Sequence, residues 1–567
     1  MFSIRKIGVI GRTYRHLNRY RQILAILFKY GFGDLIERLN IDQYIEVGLQ
    51  VISGGNGRAR LEKMTTAERL RRALQELGPT YIKFGQTLST RSDLIPADFM
   101  QELYQLQDNV PPRPFSEVRA VLESEFDLPY EEIFESFSET VTASASIGQV
   151  HKARLKDGGE LVAVKVQRPG IRKVIEVDLE IMLHLATLVE RHIEEMARHQ
   201  PVRIVEGLAR ILEKETDYTM EAANMERFSR RFLGNPGIYI PKVFREMTTE
   251  RILTMEFIHG IKISEVDRLD AAGLDRKKIN IRGARFFLKQ VFDHGFFHAD
   301  PHPGNIRVLP GNVICMLDFG MVGSVDRSTR EDFVLLLESM VRGNEAKATR
   351  MILRLSVWDH EPDVRTLEKD VSEFMGHHMY KSTKDMEIGK MLQHLLELSS
   401  RHHLGIPPDI FLMMKAFGTV EGISLLLDPD FNMVVETAPF IERIHLARFS
   451  PQRITEDLAE FLAELMQFTR QFPKDTLEIT RLIRQQKLLI RLEHQGLDTI
   501  LTTHDEISNK ISFAIIIAAL IIGSALIVIA KIPPLFFGIS LVGIVLFFGA
   551  AILGVWLLVA ILRRDGM

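Results

Sequence analysis

From Ile511 to Ala530 the chain runs twenty residues without a charge, bounded by Lys510 and Lys531. A helix packed on a globular core keeps a polar face for water, so an apolar run of this length has few places to go. At about 1.5 Å per residue, twenty helical residues span about 30 Å, the hydrocarbon thickness of a bilayer. Ile532 to Leu562 is uncharged as well and closes at Arg563-Arg564. Pro533-Pro534 cannot continue a helix interior, so the expectation over 509–564 is two transmembrane helices joined by a very short turn. Lys510 and Arg563-Arg564 against the lone Lys531 favour both ends in the cytoplasm. With no secretory signal, the large domain is expected on that side too.

Elsewhere the composition is that of a folded protein. Apolar residues make up 46% and charged residues 26%, and 567 residues suggest two to four structural units. A net charge of −3 gives no bulk attraction to nucleic acid. The single cysteine, Cys315, excludes an internal disulfide and a thiolate metal cluster; its apolar neighbours read as a buried strand in which it fills space. Charge is uneven at the N-terminus, where Arg5, Lys6, Arg12, Arg15, Arg19, Arg21 and Lys29 precede the first acid, Asp34. The longest apolar run there, Ile23 to Phe28, is too short for a signal-peptide core. A basic amphipathic helix on an anionic membrane surface, an ordinary exposed helix and a mitochondrial-type leader all share this composition.

Periodicity divides the remainder. Gly54-Gly55-Asn56-Gly57 reads as a linker and lacks the Lys-Ser/Thr of a P-loop. Residues 64–135 are helical in pattern, punctuated by Pro79, Pro96 and Pro111-Pro112-Arg113-Pro114. From Thr140 to Val166 short alternating runs flank Asp157-Gly158-Gly159, a hairpin signal. Helical spacing returns over 171–230, short strands follow near 238–258, then helix to about 294, loops over 295–325, and helix from 326 to 500. No internal repeat or low-complexity segment is present.

Three motifs fall in kinase order. Ala143-Ser144-Ala145-Ser146-Ile147-Gly148-Gln149-Val150 keeps the third glycine and the valine of G-x-G-x-x-G-x-V, but has Ala143 and Ala145 at the first two glycines, narrowing the space over a nucleotide. Val162-Ala163-Val164-Lys165 follows, a strand ending in a cation placed to neutralise α- and β-phosphates. His298-Ala299-Asp300-Pro301-His302-Pro303-Gly304-Asn305 then precedes Asp318-Phe319-Gly320. In that pattern Asp300 accepts the nucleophile's proton, and Asn305 and Asp318 hold the metals, hard oxygen ligands suited to Mg²⁺. Ile306 to Leu317 alternates like a hairpin that brings these ligands together. His298 and His302 lack a third ligand for zinc, so His298 is expected to pack or hydrogen-bond, while His377-His378 and His402-His403 read as solvated helix positions. Met255-Glu256-Phe257 stands where a hinge would meet adenine.

Lys83-Phe84-Gly85-Gln86, the alanine-rich loop, Glu215-Thr216-Asp217 and His298 to Asn305 together resemble the UbiB family of atypical kinases, also called the ABC1 or ADCK group, over about residues 65–430. The resemblance implies that Glu221 pairs with Lys165 and that Glu215 and Asp217 lie near Lys83 and Gln86, in an N-terminal extension folded over the cleft where a peptide would dock. It implies ATP binding, Mg²⁺-dependent phosphoryl chemistry and support of ubiquinone biosynthesis at a membrane, here the bacterial inner membrane. Ala299 in place of the H-R-D arginine, and no Ala-Pro-Glu after Asp318, agree with the loss of a peptide platform.

The fold class expected is α+β, an atypical protein-kinase-like bilobal fold with a family-specific N-terminal helical extension and a C-terminal transmembrane helical hairpin. Its parts are a basic segment at 1–60, the extension at 61–138, an N-lobe with inserted helices at 139–258, a C-lobe at 259–440, a helical linker at 441–508 and the membrane helices at 509–564. The partners expected are anionic membrane lipid, a quinone-precursor lipid and ubiquinone-biosynthesis enzymes; a homodimer is compatible with the sequence, and nucleic acid is not expected. Two other functions stay open: a small-molecule kinase of the aminoglycoside or choline kinase type, and a nucleotide-binding scaffold for a biosynthetic complex.

Overall fold

Val162, Val164 and Val166 alternate with Ala163 and Lys165, so a strand here turns valines to one face and the lysine to the other. The computed structural model has that strand at the centre of its small lobe. It describes residues 14–39, 64–89, 97–106, 112–193, 200–358, 361–379, 388–448, 497–536 and 539–562, with isolated positions elsewhere. Gly54 to Gly57 and most of 449–496 lie outside the described residues. Two compact units are present, Met1–Thr455 and Glu456–Met567.

The first unit opens with α1 (Tyr14–Lys29), α2 (Gly33–Arg38), α3 (Thr66–Leu77), α4 (Pro79–Leu88), α5 (Ala97–Tyr104) and α6 (Phe115–Phe126). Thr65 caps α3 by accepting the Glu68 amide at 3.1 Å. Tyr20, Ile23, Leu24 and Ile26 of α1 are buried in a core shared with Ala73, Leu74, Leu77 and Tyr81 of α3 and α4. Arg19 bonds the buried Asp178 at 2.7 Å, and Lys29 pairs with Glu76 at 2.7 Å. The apolar face that suggested a membrane-surface helix is therefore packed against protein.

The small lobe follows: β1 (Phe134–Ser144), β2 (Gly148–Leu155), β3 (Leu161–Gln167), then α7 (Ile171–His192), α8 (Pro201–Glu215), α9 (Tyr218–Arg231), β4 (Ile238–Tyr239) and β5 (Ile252–Glu256). Its antiparallel sheet has the order β1-β2-β3-β5. Gly158 and Gly159, both at positive φ, close the β2–β3 turn as the sequence predicts. β1 starts at Phe134, inside the stretch read as helical, because Phe134 and Phe137 pack with Val118, Val121 and Leu122 of α6 over the outer face of the sheet. The valines of β3 share that outer core, which leaves Ala163 and Lys165 facing inward.

The large lobe contains β6 (Ile261–Lys262), α10 (Arg276–Leu288), β7 (Phe296–His298), β8 (Ile306–Leu309), β9 (Val313–Met316) and β10 (Val322–Ser324). Helices α11 (Arg327–Val341), α12 (Glu345–Leu355), α13 (Val364–Met379), α14 (Ile388–Arg401), α15 (Pro408–Leu427) and α16 (Met433–Arg448) complete it. Asp275, Asp326 and Asn344 cap α10, α11 and α12 by accepting amides three residues on. Helix α16 carries the lobe past 440, with Met433 and Phe440 in its core. Cys315 is fully buried in β9, as expected. His402 departs from expectation: it is shielded and lies 3.0 Å from Asp370 rather than in solvent.

In the second unit α17 (Leu497–Ile529) and α18 (Leu541–Leu562) pack as a hairpin. Ile511–Ile529 has a mean hydropathy of 2.8 and is 6% buried within the structure. Pro408–Leu427 is also long and apolar but 56% buried, a core helix of the large lobe. The turn is longer than the sequence suggests, since Leu535-Phe536 pairs with Ile539-Ser540 before α18 begins. A β-carbon on Gly543 would stand 2.6 Å from Val528 and 3.1 Å from the Ser524 carbonyl, so the two helices approach closely there.

Candidate functional site

Strand β3 points Lys165 at α9, where its Nζ meets Glu221 Oε2 at 2.7 Å. Lysine and glutamate are 12% and 5% exposed. Burial works against the charge on Lys165, but Glu221 and Asp318 outweigh it and hold the ammonium above the ordinary lysine value. The other Glu221 oxygen accepts the Phe319 amide at 3.3 Å. Phe319 is fully buried, 5.0 Å from the Phe228 ring, which stacks in turn on Phe296 at 5.0 Å. This aromatic column joins α9, β7 and the Asp318-Phe319-Gly320 segment, so the Lys165–Glu221 pair and Asp318 are set by one packed core.

The β8–β9 hairpin folds as its alternation predicts and brings Asn305 to the start of the Asp318 segment. Leu317 N–H donates to the Asn305 carbonyl at 3.0 Å, placing Asn305 beside the residue before Asp318. His298 is buried and joins two motifs: its Nδ1 accepts the Asp300 amide at 3.1 Å, so Nε2 carries the hydrogen and donates to the Asp318 carbonyl. Burial alone would raise the Asp318 carboxyl. Lys165, the Gly320 amide, His298 and Lys83 together reverse that and hold it below the usual carboxylate value. Asp318 Oδ1 accepts the Gly320 amide at 2.9 Å. Its Oδ2 and the Asn305 side chain have no protein hydrogen-bond partner among the described residues. An anionic carboxylate and an amide oxygen left open in this way fit a hard cation that takes its remaining ligands from phosphate and water. Among the described residues no cluster of three or more His, Cys, Asp or Glu forms a protein-only metal cage.

The alanine-rich loop is a tight turn. Ala143 pairs with Val150 in the β1–β2 ladder, and the Ala145 amide donates to the Gly148 carbonyl at 2.8 Å. Arg168 clasps the turn from below, with Nε on the Ala145 carbonyl at 3.2 Å and a terminal nitrogen on Ser144 Oγ at 2.9 Å. A β-carbon on Gly148 would lie 2.1 Å from the Tyr218 hydroxyl. The third glycine is thus required by Tyr218, whose ring also faces Lys165 Nζ at 5.1 Å. At the hinge, Met255 is buried and paired with Ala163, and the Phe257 amide donates to Leu161 at 3.0 Å, so that amide is engaged by the sheet.

Helix α4 lays the extension along the cleft. Lys83 Nζ is 3.0 Å from Glu215 Oε1, with the two side chains 13% and 11% exposed. Lys83 also contributes to lowering the Asp318 carboxyl. Gly85 lets α4 approach closely, since a β-carbon there would strike Leu106 at 2.3 Å. Gln86 Nε2 donates to the Leu106 carbonyl at 3.0 Å. Asp217 departs from expectation. Its Oδ1 accepts the Thr219 amide at 3.0 Å and the Thr219 hydroxyl at 2.6 Å, so its carboxylate caps α9 instead of joining Lys83 and Gln86.

The ABC1 atypical kinase-like domain matches residues 105–352, the UbiB helical domain 371–432 and the ABC1/UbiB kinase-like C-terminal domain 495–563. A "Probable protein kinase UbiB" from Cellvibrio japonicus is 37% identical over 72% of this chain and 75% of its own. A Clostridium pasteurianum protein, named as uncharacterized in the hydrogenase 1 5' region, is 31% identical over 96% of this chain and 98% of its own. The chain belongs to the ABC1/UbiB family of atypical kinases. A solved Mycobacterium tuberculosis structure, the Rv3197–erythromycin complex, is 25% identical, with a TM-score of 0.44 over 61% of this chain and 87% of that one.

Of three further residues at this UbiB-type site, Tyr218 and Asn224 continue the family pattern after Glu215, and Arg168 alone escapes sequence reasoning. Arg168 and Tyr218 act on the alanine-rich loop, and Asn224 donates to the Phe319 carbonyl at 3.1 Å. Arg168 directly follows the Lys165 strand, and that adjacency is the one signal that could have drawn attention to it.

Proposed function

We propose that this protein binds Mg-ATP between the alanine-rich loop and Asp318. On this reading it is a membrane-anchored atypical kinase or ATPase that supports ubiquinone, or isoprenoid-quinone, biosynthesis. The observation that carries the proposal is Lys83: a helix outside the kinase-like lobes sets a cation on Glu215 at 3.0 Å, shielded from solvent and near enough to lower the Asp318 carboxyl, where a peptide-directed kinase keeps its cleft open. That cover supports a small or lipid-borne acceptor, a quinone precursor, over a protein. Lys165, held by Glu221, would neutralise the α- and β-phosphates. Asn305 and Asp318 would hold Mg²⁺, which supplies charge neutralisation at the transferring phosphoryl group. Asp300 would orient the acceptor oxygen and take its proton. The apolar α17–α18 hairpin supports anchoring in a bacterial inner membrane with the kinase-like unit in the cytoplasm. Biosynthetic enzymes and anionic lipid are the partners this location supplies.

The test is Mg²⁺-dependent phosphate release from ATP by the full chain in anionic vesicles, with and without a quinone-precursor mimic. Asp300→Asn should keep nucleotide binding and lose turnover by about 10²-fold or more, the usual scale for a general base. Turnover at the parent rate would remove Asp300 from the chemistry.

A further inference from the structure

Helix α5 of the extension and helices α14 and α15 of the large lobe line an open-sided cavity of about 510 Å³. That volume falls in the range of about 300–1,000 Å³ typical of small-molecule sites. Met100, Tyr104, Leu392, Leu396, Phe411 and Met414 form apolar parts of its wall. The cavity is built rather than incidental. The buried Glu421 accepts the amides of Ile388 and Gly389 at 2.8 and 2.6 Å, which fixes the start of α14 against α15. A β-carbon on Gly422, also in the wall, would meet nothing within 4 Å.

Lys415 links this space to the catalytic loop. It lines the cavity, its Nζ lies 3.6 Å from Asp300 Oδ1, and it stands 5.2 Å over the Tyr104 ring. The segment from His298 to Asn305 contains no lysine or arginine, so the cation beside Asp300 comes from α15.

We propose that this cavity is the acceptor site for a small amphipathic molecule, with its apolar body against α5, α14 and α15 and a hydroxyl head group at Lys415 and Asp300. The proposal rests on the kinase reading above and gives the small or lipid-borne acceptor of that reading a binding site. Lys415 positions the hydroxyl oxygen. Asp300 takes the hydroxyl proton as that oxygen bonds to the γ-phosphorus of a nucleoside triphosphate, and the bridging P–O bond breaks with its electron pair leaving on the diphosphate.

The probe is a twelve-carbon primary alcohol carrying a mid-chain diazirine, photolysed with the purified full-length protein and mapped by mass spectrometry. A diazirine alkane of equal length is the control for greasy binding. The alcohol should label residues of α5 and α15 at least fivefold over the alkane. Lys415→Ala should abolish that preference and Lys415→Arg should restore it, which a purely structural lysine would not do. Gly422→Phe, an inward bulk on a helix position where glycine is the poorer former, should remove the labelling at unchanged thermal stability. Labelling confined to the C-terminal hairpin, equal labelling by alkane and alcohol, or labelling indifferent to Gly422→Phe would each overturn the proposal. Mg-ATP binding measured on the same preparation separates the two ideas: if it persists while labelling fails, the cavity falls and the kinase reading stands; if it is absent, the kinase reading falls as well.

Discussion

At Gly148 a methyl group would sit 2.1 Å from the Tyr218 hydroxyl and 2.9 Å from the Val166 carbonyl. The Tyr218 hydroxyl is buried and has no hydrogen-bond partner among the described residues, so removing it leaves no partner stranded. Tyr218→Phe should therefore change stability by less than about 1 kcal/mol. Gly148→Ala should cost about 1–3 kcal/mol through overpacking, and the double variant should recover only part of it because the Val166 carbonyl remains. Chemical denaturation of the three variants measures this; a double variant as unstable as Gly148→Ala would show that Tyr218 is not the obstacle. The sequence names Gly148 for its motif but cannot reveal that it meets Tyr218, which lies seventy residues away and reaches the loop only through folding. Lys165, Asp300 and Asn305 were legible as candidates because the kinase pattern fixes their spacing, whereas Glu221, 56 residues beyond Lys165, was legible only through the family resemblance. Asp217 was misread, although an Asp two residues before Thr219 at a helix start is itself a capping signal.

Helix α4 holds its place through Lys83 on Glu215, Gly85 against Leu106 and Gln86 on the Leu106 carbonyl. Both charged partners are largely shielded, so deleting one leaves the other uncompensated, a loss of about 3–5 kcal/mol by analogy with buried pairs. Lys83→Ala should loosen α4 and raise hydrogen exchange across residues 80–89. Glu215→Ala should mimic it, and the double variant should lose less than the sum of the two, since contacting sites do not add. Exchange mass spectrometry on the three variants decides it, and protection equal to the parent in all of them would mean that α4 is held by other contacts. The order of helices and strands was legible from periodicity. The early start of β1 was not: residues 134–138 join the sheet because α6 covers its outer face, and no local pattern announces that cover.

Across the molecule, the kinase-like unit and the apolar hairpin are separate compact units, and their functions should separate too. A chain ending at Thr455 should lose flotation with neutral vesicles while keeping Mg-ATP binding. The apolar face of α1 is packed in the core, so whatever binding to anionic vesicles remains should be electrostatic and disappear at high salt. Salt-resistant flotation of the truncated chain would show that a second apolar anchor exists. The central claim, that the cleft between the alanine-rich loop and Asp318 holds Mg-ATP through this carboxylate, rests on an acid kept anionic by Lys165, the Gly320 amide, His298 and Lys83 against the cost of its burial. The most direct measurement is titration calorimetry of ATP into the full-length protein and into Asp318→Asn, each with and without Mg²⁺. Mg²⁺-dependent binding in the parent, weakened by at least about tenfold, or 1.4 kcal/mol, in the variant is the expected result. Equal affinity in parent and variant, or binding indifferent to Mg²⁺, would contradict it.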